Sequence, residues 1–143
     1  MRKYKIFIDD TILNHLDAPN KPDVMADTQS LWGMFQTDIY DIILPETVVR
    51  IYKDILSQIQ YSSVSVSGEV SELARYIKDL VLLDCSDLVI QNLAAAQVSD
   101  CDFFVSWNYK DVVNIKTIRG VKIIAMLEDL KDIVICTPTM LIQ

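Results

Sequence analysis

The chain has 143 residues, 13 Lys and Arg against 20 Asp and Glu, and a formal net charge of −7, which is enough sequence for one domain. Apolar and aromatic residues make up 51% of it with only 3 Gly and 4 Pro between them, so disorder is excluded and a packed core is expected. Its apolar runs stop at four or five residues, far below the roughly 20 of a membrane-spanning helix. The basic start Met1-Arg2-Lys3-Tyr4-Lys5 leads into a strand and not a secretory leader, so a cytoplasmic protein is expected.

Lys5-Ile6-Phe7-Ile8 reads as a buried strand running into Asp9-Asp10-Thr11, whose short polar side chains suit the N-cap of a helix through Ile12, Leu13 and Leu16. Pro19-Asn20-Lys21-Pro22-Asp23 stops that helix, and Val24, Leu31, Met34 and Phe35 mark a second one ending before Thr37. Residues 39–44 read as strand. Pro45-Glu46-Thr47 opens a helix whose apolar face carries Val48, Ile51, Tyr52, Ile55, Leu56 and Ile59. Residues 61–67, serine alternating with valine, are predicted as a loop. Helical spacing returns over 69–79 and 86–99, where Ala94-Ala95-Ala96 permits close approach to a sheet. Residues 103–107 form a buried strand followed by polar Asn108 to Asp111, and residues 121–125 and 133–136 are predicted as two further strands, the last closed by Thr137-Pro138. This alternation predicts a single α/β domain over residues 1–143, with a mainly parallel central sheet and helices on both faces.

Cys85, Cys101 and Cys136 are odd in number, without a CxxC pair, and His15 is the only histidine, so neither a zinc cluster nor a disulfide framework nor a nucleophile–histidine triad is supported. The acidic balance disfavours a dedicated nucleic-acid binder. In parallel α/β folds the ligand crevice lies beyond the carboxyl ends of the strands, which points to Asp9-Asp10, to Asn108 through Asp111, and to Glu128-Asp129. Asp9 suits either a helix N-cap or a ligand to a magnesium or manganese ion, whereas Glu128-Asp129 reads as a solvated turn. A bacterial receiver domain also has adjacent acids after its first strand, but needs an aspartate ending a later one, and the second strand here ends at Leu44-Pro45.

Three segments read together carry a more specific likeness: Lys5-Ile6-Phe7-Ile8-Asp9, Asn92-Leu93-Ala94-Ala95-Ala96, and the run V-S-W-N-Y-K-D-V-V-N from Val105 to Asn114. With the ending I-V-I-C-T-P-T-M-L-I, they resemble PIN-domain proteins, the family of the VapC-type toxin ribonucleases, over essentially the whole chain. The resemblance implies a three-layer PIN-like fold and a crevice in which acidic side chains hold one or two divalent ions for RNA cleavage. Asp9 matches the first of those acids and is the candidate catalytic residue. The helix glutamate falls near Ile51, the later aspartate on Val89 and the branch's histidine on Asn92, while Asp111 stands where a second histidine is usual. Two of three acidic positions are therefore apolar. The expected metal set, if any, is Asp9, Asp87, Asn108 and Asp111, with Mg or Mn only if the site is active. The expectation is a degenerate, non-catalytic relative that binds protein or nucleic acid; the alternative is an active Mg/Mn-dependent endoribonuclease with a rearranged acidic pocket. Expected partners are a second copy of the chain, an antitoxin-like protein or RNA. RNA would meet Lys110, Lys116, Arg119 and Lys122, and a protein Trp32, Phe35 and Tyr40.

Overall fold

Strand β1 (Tyr4–Ile8) is the middle of the molecule because its side chains suit burial on both sides: Ile6, Phe7 and Ile8 are fully buried, Phe7 toward one helical layer and Ile6 and Ile8 toward the other. Strands β2 (Tyr40–Pro45), β3 (Ser62–Val64), β4 (Phe103–Val105) and β5 (Val134–Cys136) complete a five-stranded sheet in the order 3-2-1-4-5, every pair parallel. The register sets Phe7 beside Ile43 on β2 and Phe104 on β4, with the two phenyl rings 4.8 Å apart. The computed structural model describes residues 2–81 and 85–143. The α/β architecture is the one expected, and its strand order is consistent with a PIN-like fold.

Helices α1 (Asp10–Asn14), α2 (Pro22–Gln36), α3 (Glu46–Ile51), α4 (Lys53–Leu56) and α8 (Pro138–Ile142) cover one face of the sheet. Helices α5 (Gly68–Val81), α6 (Asp87–Val98) and α7 (Ile115–Leu127) cover the other. Small Ala94 and Ala96, fully buried, let α6 lie close on Phe7 and Phe104. No helix among the described residues is long and apolar enough to cross a membrane.

Three elements differ from expectation. Residues 121–125 belong to α7, not to a strand: Asn114 caps the helix through Thr117 N, and Thr117, Val121, Ile124 and Ala125 recur at helical spacing on the buried side. Within 61–67, Ser62–Val64 forms β3, because β2 offers an open ladder that even a serine-rich segment can complete. The helix expected from Pro45 to Ile59 breaks at Tyr52, whose φ of −112° and ψ of 29° separate α3 from α4. Trp32 and Phe35 are buried, and Tyr40 packs its ring against Phe35, so these aromatics form core and not a docking surface.

The amino ends of the strands are tied together by Asp102, which accepts from Lys5 N at 2.8 Å, Arg2 Nη2 at 2.5 Å and Lys131 Nζ at 2.6 Å. Partial burial would raise its pKa, but the Lys131 and Lys5 hydrogen bonds and the charges of Lys131 and Arg2 bring it below the ordinary value. Three helices leave through aspartates in the left-handed region, Asp38, Asp100 and Asp129, at φ of 60°, 57° and 52°. Behind Asp100 and Asp129, Cys101 N reaches Ala96 O at 3.1 Å and Leu130 N reaches Ala125 O at 2.8 Å, the closing bonds of a Schellman-type end.

Candidate functional site

The carboxyl ends of β1 and β4 lie side by side, and the residues that follow them meet at the edge of the sheet where the strand pattern predicts a crevice. Asp9 follows β1 in extended conformation and caps α1. Asp9 Oδ1 accepts from Thr11 N at 3.1 Å and Thr11 Oγ1 at 2.5 Å; Asp9 Oδ2 accepts from Ser106 Oγ at 2.6 Å. Each hydroxyl is engaged on its other side as well, Thr11 Oγ1 accepting from Trp107 N at 2.9 Å and Ser106 Oγ from Asn108 N at 3.0 Å. The carboxylate is thus the hub that joins the two strand ends, and at 4% exposure it has little water to stabilise its charge. Burial pushes its pKa up to about 6, the Ser106 and Thr11 hydrogen bonds limiting the rise.

The rest of the Val105 to Asn114 run is scaffold. The indole N–H of Trp107 donates to Thr28 Oγ1 at 2.8 Å in the interior. Asn108 Oδ1 accepts from Asp111 N at 3.0 Å, its carbonyl accepts from Val112 N and Val113 N, and Thr117 Oγ1 donates to Asp111 O at 2.7 Å. Asn114 Nδ2 donates to the carbonyls of Tyr109 and Lys110 while its Oδ1 caps α7. The polar residues that make the motif recognisable therefore bind their own backbone and hold the β4–α7 connection. His15 donates through Nδ1–H to the Thr11 carbonyl, 2.7 Å away, and its ring lies 6.3 Å from that of Trp107. Burial pushes the thiols of Cys101 and Cys136 up to about 12 and about 11, which keeps them protonated and unreactive near neutral pH.

Of the remaining expected ligands, Asp87 and Asp111 form with Asp9 no group placed to hold a metal ion. Asp87 stands exposed in the first turn of α6 and pairs with Lys78 at 2.9 Å, and that hydrogen bond and charge raise the Lys78 pKa. Asn108 and Asp111 are half-buried and held in their turn. Among the described residues no group of three or more His, Cys, Asp and Glu side chains is placed to hold a metal ion. Ile51 is 74% exposed at the end of α3, and Val89 packs half-buried against the core. Magnesium dehydrates reluctantly and needs several oxygens at close range. A single carboxylate that already accepts three hydrogen bonds from its own fold does not fit that requirement.

Beside this hub, the carboxyl ends of β2 and β3 and the start of α6 enclose a recess of about 80 Å³ whose walls include Glu46, Thr47, Ser65, Gln91 and Asn92. Glu46 was legible only as a first-turn acid, although its place directly after β2 was the signal; it is bonded to Arg50 at 3.0 Å. Lys110, Lys116, Arg119 and Lys122 are all exposed, and Lys116 and Arg119 share a surface groove with Leu80, Ile115 and Ile123. No protein-family model and no curated protein matches this chain.

Proposed function

We propose that this chain is a PIN-like domain that no longer cleaves phosphodiesters and acts as a binding module for protein. The observation that carries the reading is the state of Asp9: both of its oxygens accept hydrogen bonds from Thr11 and Ser106, and the carboxylate joins β1 to β4. Metal-assisted hydrolysis needs an ion-bound water and a set of oxygens that stabilises the growing charge on the phosphate. Ile51 and Val89, at the positions where the resemblance implies acids, supply neither oxygen nor charge. A protein partner is favoured over RNA because the chain carries −7 overall, which repels a polyanion beyond any local basic patch.

A second reading, an active Mg/Mn-dependent endoribonuclease of the VapC type, is favoured by the survival of Asp9 itself at the end of the first strand. One experiment separates the two. Purified protein and its Asp9→Asn variant are incubated with a generic labelled RNA across a manganese series while thermal stability is followed in parallel. The binding-module reading expects no cleavage above background and no manganese-dependent rise in melting temperature; RNA cleavage that disappears in Asp9→Asn establishes the nuclease instead.

A further inference from the structure

β3 pairs with β2 on one side and ends the sheet on the other. The free side of an edge strand presents backbone N–H and C=O groups in alternation, and folded proteins blunt such edges with lysine, proline or a bulge. β5, at the opposite edge, follows that rule: Lys131 and Asp132 precede it, and Pro138 comes two residues after its end at Cys136. β3 does not. From Ile55 to Gly68 the chain carries no charged residue and no proline.

The edge also runs on past the strand. β3 stops at Val64 because β2 stops opposite it at Pro45, where Glu46 starts α3; Ser65 and Val66 follow, beyond the ladder. Ser67 then caps α5, its Oγ accepting from Val70 N at 3.2 Å and its carbonyl from Ser71 N at 3.0 Å. The stretch from Ser62 to Ser67 is thus held at one end by β2 and at the other by α5, and a template fixed in advance loses little freedom when it is bound. A hollow lies at each end of it. Tyr61 and Ser62 wall a polar one of about 400 Å³ with Lys3, Lys5 and Asp41. Val64 and Val66 wall the recess of about 80 Å³ with Pro45, Leu88 and Ala95. Val66 is 57% exposed and Leu88 59%, so the rim of that recess is aliphatic and wet.

We infer that the β3 edge docks an extended segment of another protein, which adds a strand beside Ser62 to Val66 and sets one aliphatic side chain in the recess beside Leu88. The inference rests on the binding-module reading, whose partner it names, and on the sheet edge for its geometry, so the two can fail separately. The edge itself selects the chemistry of the occupant. Donors and acceptors that alternate at strand spacing are matched by another backbone, whereas the phosphates of RNA offer acceptors alone. The net charge of −7 repels both a polyanion and a second copy of this chain, so the segment is neutral or basic. Serine and valine are short enough to let its main chain come close. In strand addition the backbone bonds supply affinity, and pockets for alternate side chains supply specificity. Here those pockets are the polar hollow at one end and the aliphatic recess at the other.

The probe is a phage-displayed library of peptides about ten residues long, selected on the purified chain and counter-selected on two edge variants. Ser65→Pro removes an N–H from the edge; Val66→Lys keeps the backbone and adds the charge that blunts natural edges. Selected peptides are expected to alternate aliphatic with small or polar residues. One of them, synthesised and titrated into isotope-labelled protein, is expected to shift and protect amides between Gln60 and Ser67 and to shift Leu88. Methylating alternate backbone nitrogens of that peptide leaves its side chains intact and is expected to weaken binding about tenfold or more. Val66→Lys is expected to weaken it similarly with an unchanged circular dichroism spectrum. A library without binders, a methylated peptide that binds equally, or shifts that fall away from β3 overturn the inference. So does protection of β3 that grows with protein concentration in the absence of peptide, which gives the edge to a second copy. Peptide binding at β3 in a chain that also cleaves RNA supports the edge and refutes the reading of Asp9; a chain that does neither refutes the edge alone.

Discussion

Replacing Asp9 by Asn tests the account of the crevice through stability alone. Burial raises the Asp9 carboxyl from its ordinary 3.8 to about 6, and holding the ionised form against that shift costs the fold roughly 3 kcal/mol. The sign follows from proton binding: the native state holds its proton more tightly than the unfolded chain, so the stability contributed by the protonated acid is present below 3.8 and is lost as pH rises through about 6. Asn is close in shape, its carbonyl can still accept from Thr11 N and Thr11 Oγ1, and its amide can donate to Ser106 Oγ. The amide also brings a second N–H to place where the carboxylate had none, which returns about 1 kcal/mol or more of the gain. Asp9→Asn is therefore expected to stabilise the protein by about 1–2 kcal/mol at pH 8 and to lose that advantage toward pH 4. Urea unfolding of both proteins between those limits gives the difference directly, since all other groups cancel in it. A difference that is flat across the range, or a variant markedly less stable than wild type at pH 8, refutes the reasoning that Asp9 is a buried, costly hub.

Other substitutions probe the same framework. Ser106→Ala removes one donor to Asp9 and the acceptor of Asn108 N, and is expected to cost about 1–3 kcal/mol by urea unfolding and to shift the pH dependence attributed to Asp9 upward. Asp102→Asn breaks the clamp on Arg2 and Lys131 at the amino ends of the strands. Its expected cost at pH 7 is about 1–2 kcal/mol, and because the native pKa is lowered, the difference from wild type should fade as pH falls through that value below 3.8. Asp129→Gly relieves a left-handed backbone at the end of α7 and is expected to raise stability by up to about 1 kcal/mol, read as a higher melting temperature; a lower one would assign the aspartate side chain a role at that turn.

Much of the sheet was legible because its strands are buried on both sides. Ile6-Phe7-Ile8, Ile42-Ile43-Leu44 and Phe103-Phe104-Val105 are short unbroken apolar runs, each ended by a polar or proline residue, and each became a strand. Helix α5 was legible from spacing for a different reason, one face buried and one wet, while α6, buried over residues 93–97, was legible from its run of small and apolar side chains. Val121 to Ala125 was misread as a strand because five residues of mostly β-favouring side chains outweighed a longer pattern, beginning at the Asn114 cap, that only a thirteen-residue window displays. Ser62 to Val64 carried no strand signal of its own, since its pairing is set by the backbone of β2.

The sequence by itself determined the class of fold, written in the order of its apolar runs, and the place of Asp9 directly after the first of them. Two matters waited for the tertiary structure. One is the occupation of Asp9 by Thr11 and Ser106, which requires β1 and β4 to be neighbours although the residues lie almost a hundred positions apart. The other is the clamp at the amino ends of the strands, where Asp102 meets Arg2 and Lys131 only because β4 lies between β1 and β5. Side-chain chemistry is local to the chain, whereas the partners and the surface it meets are fixed by packing.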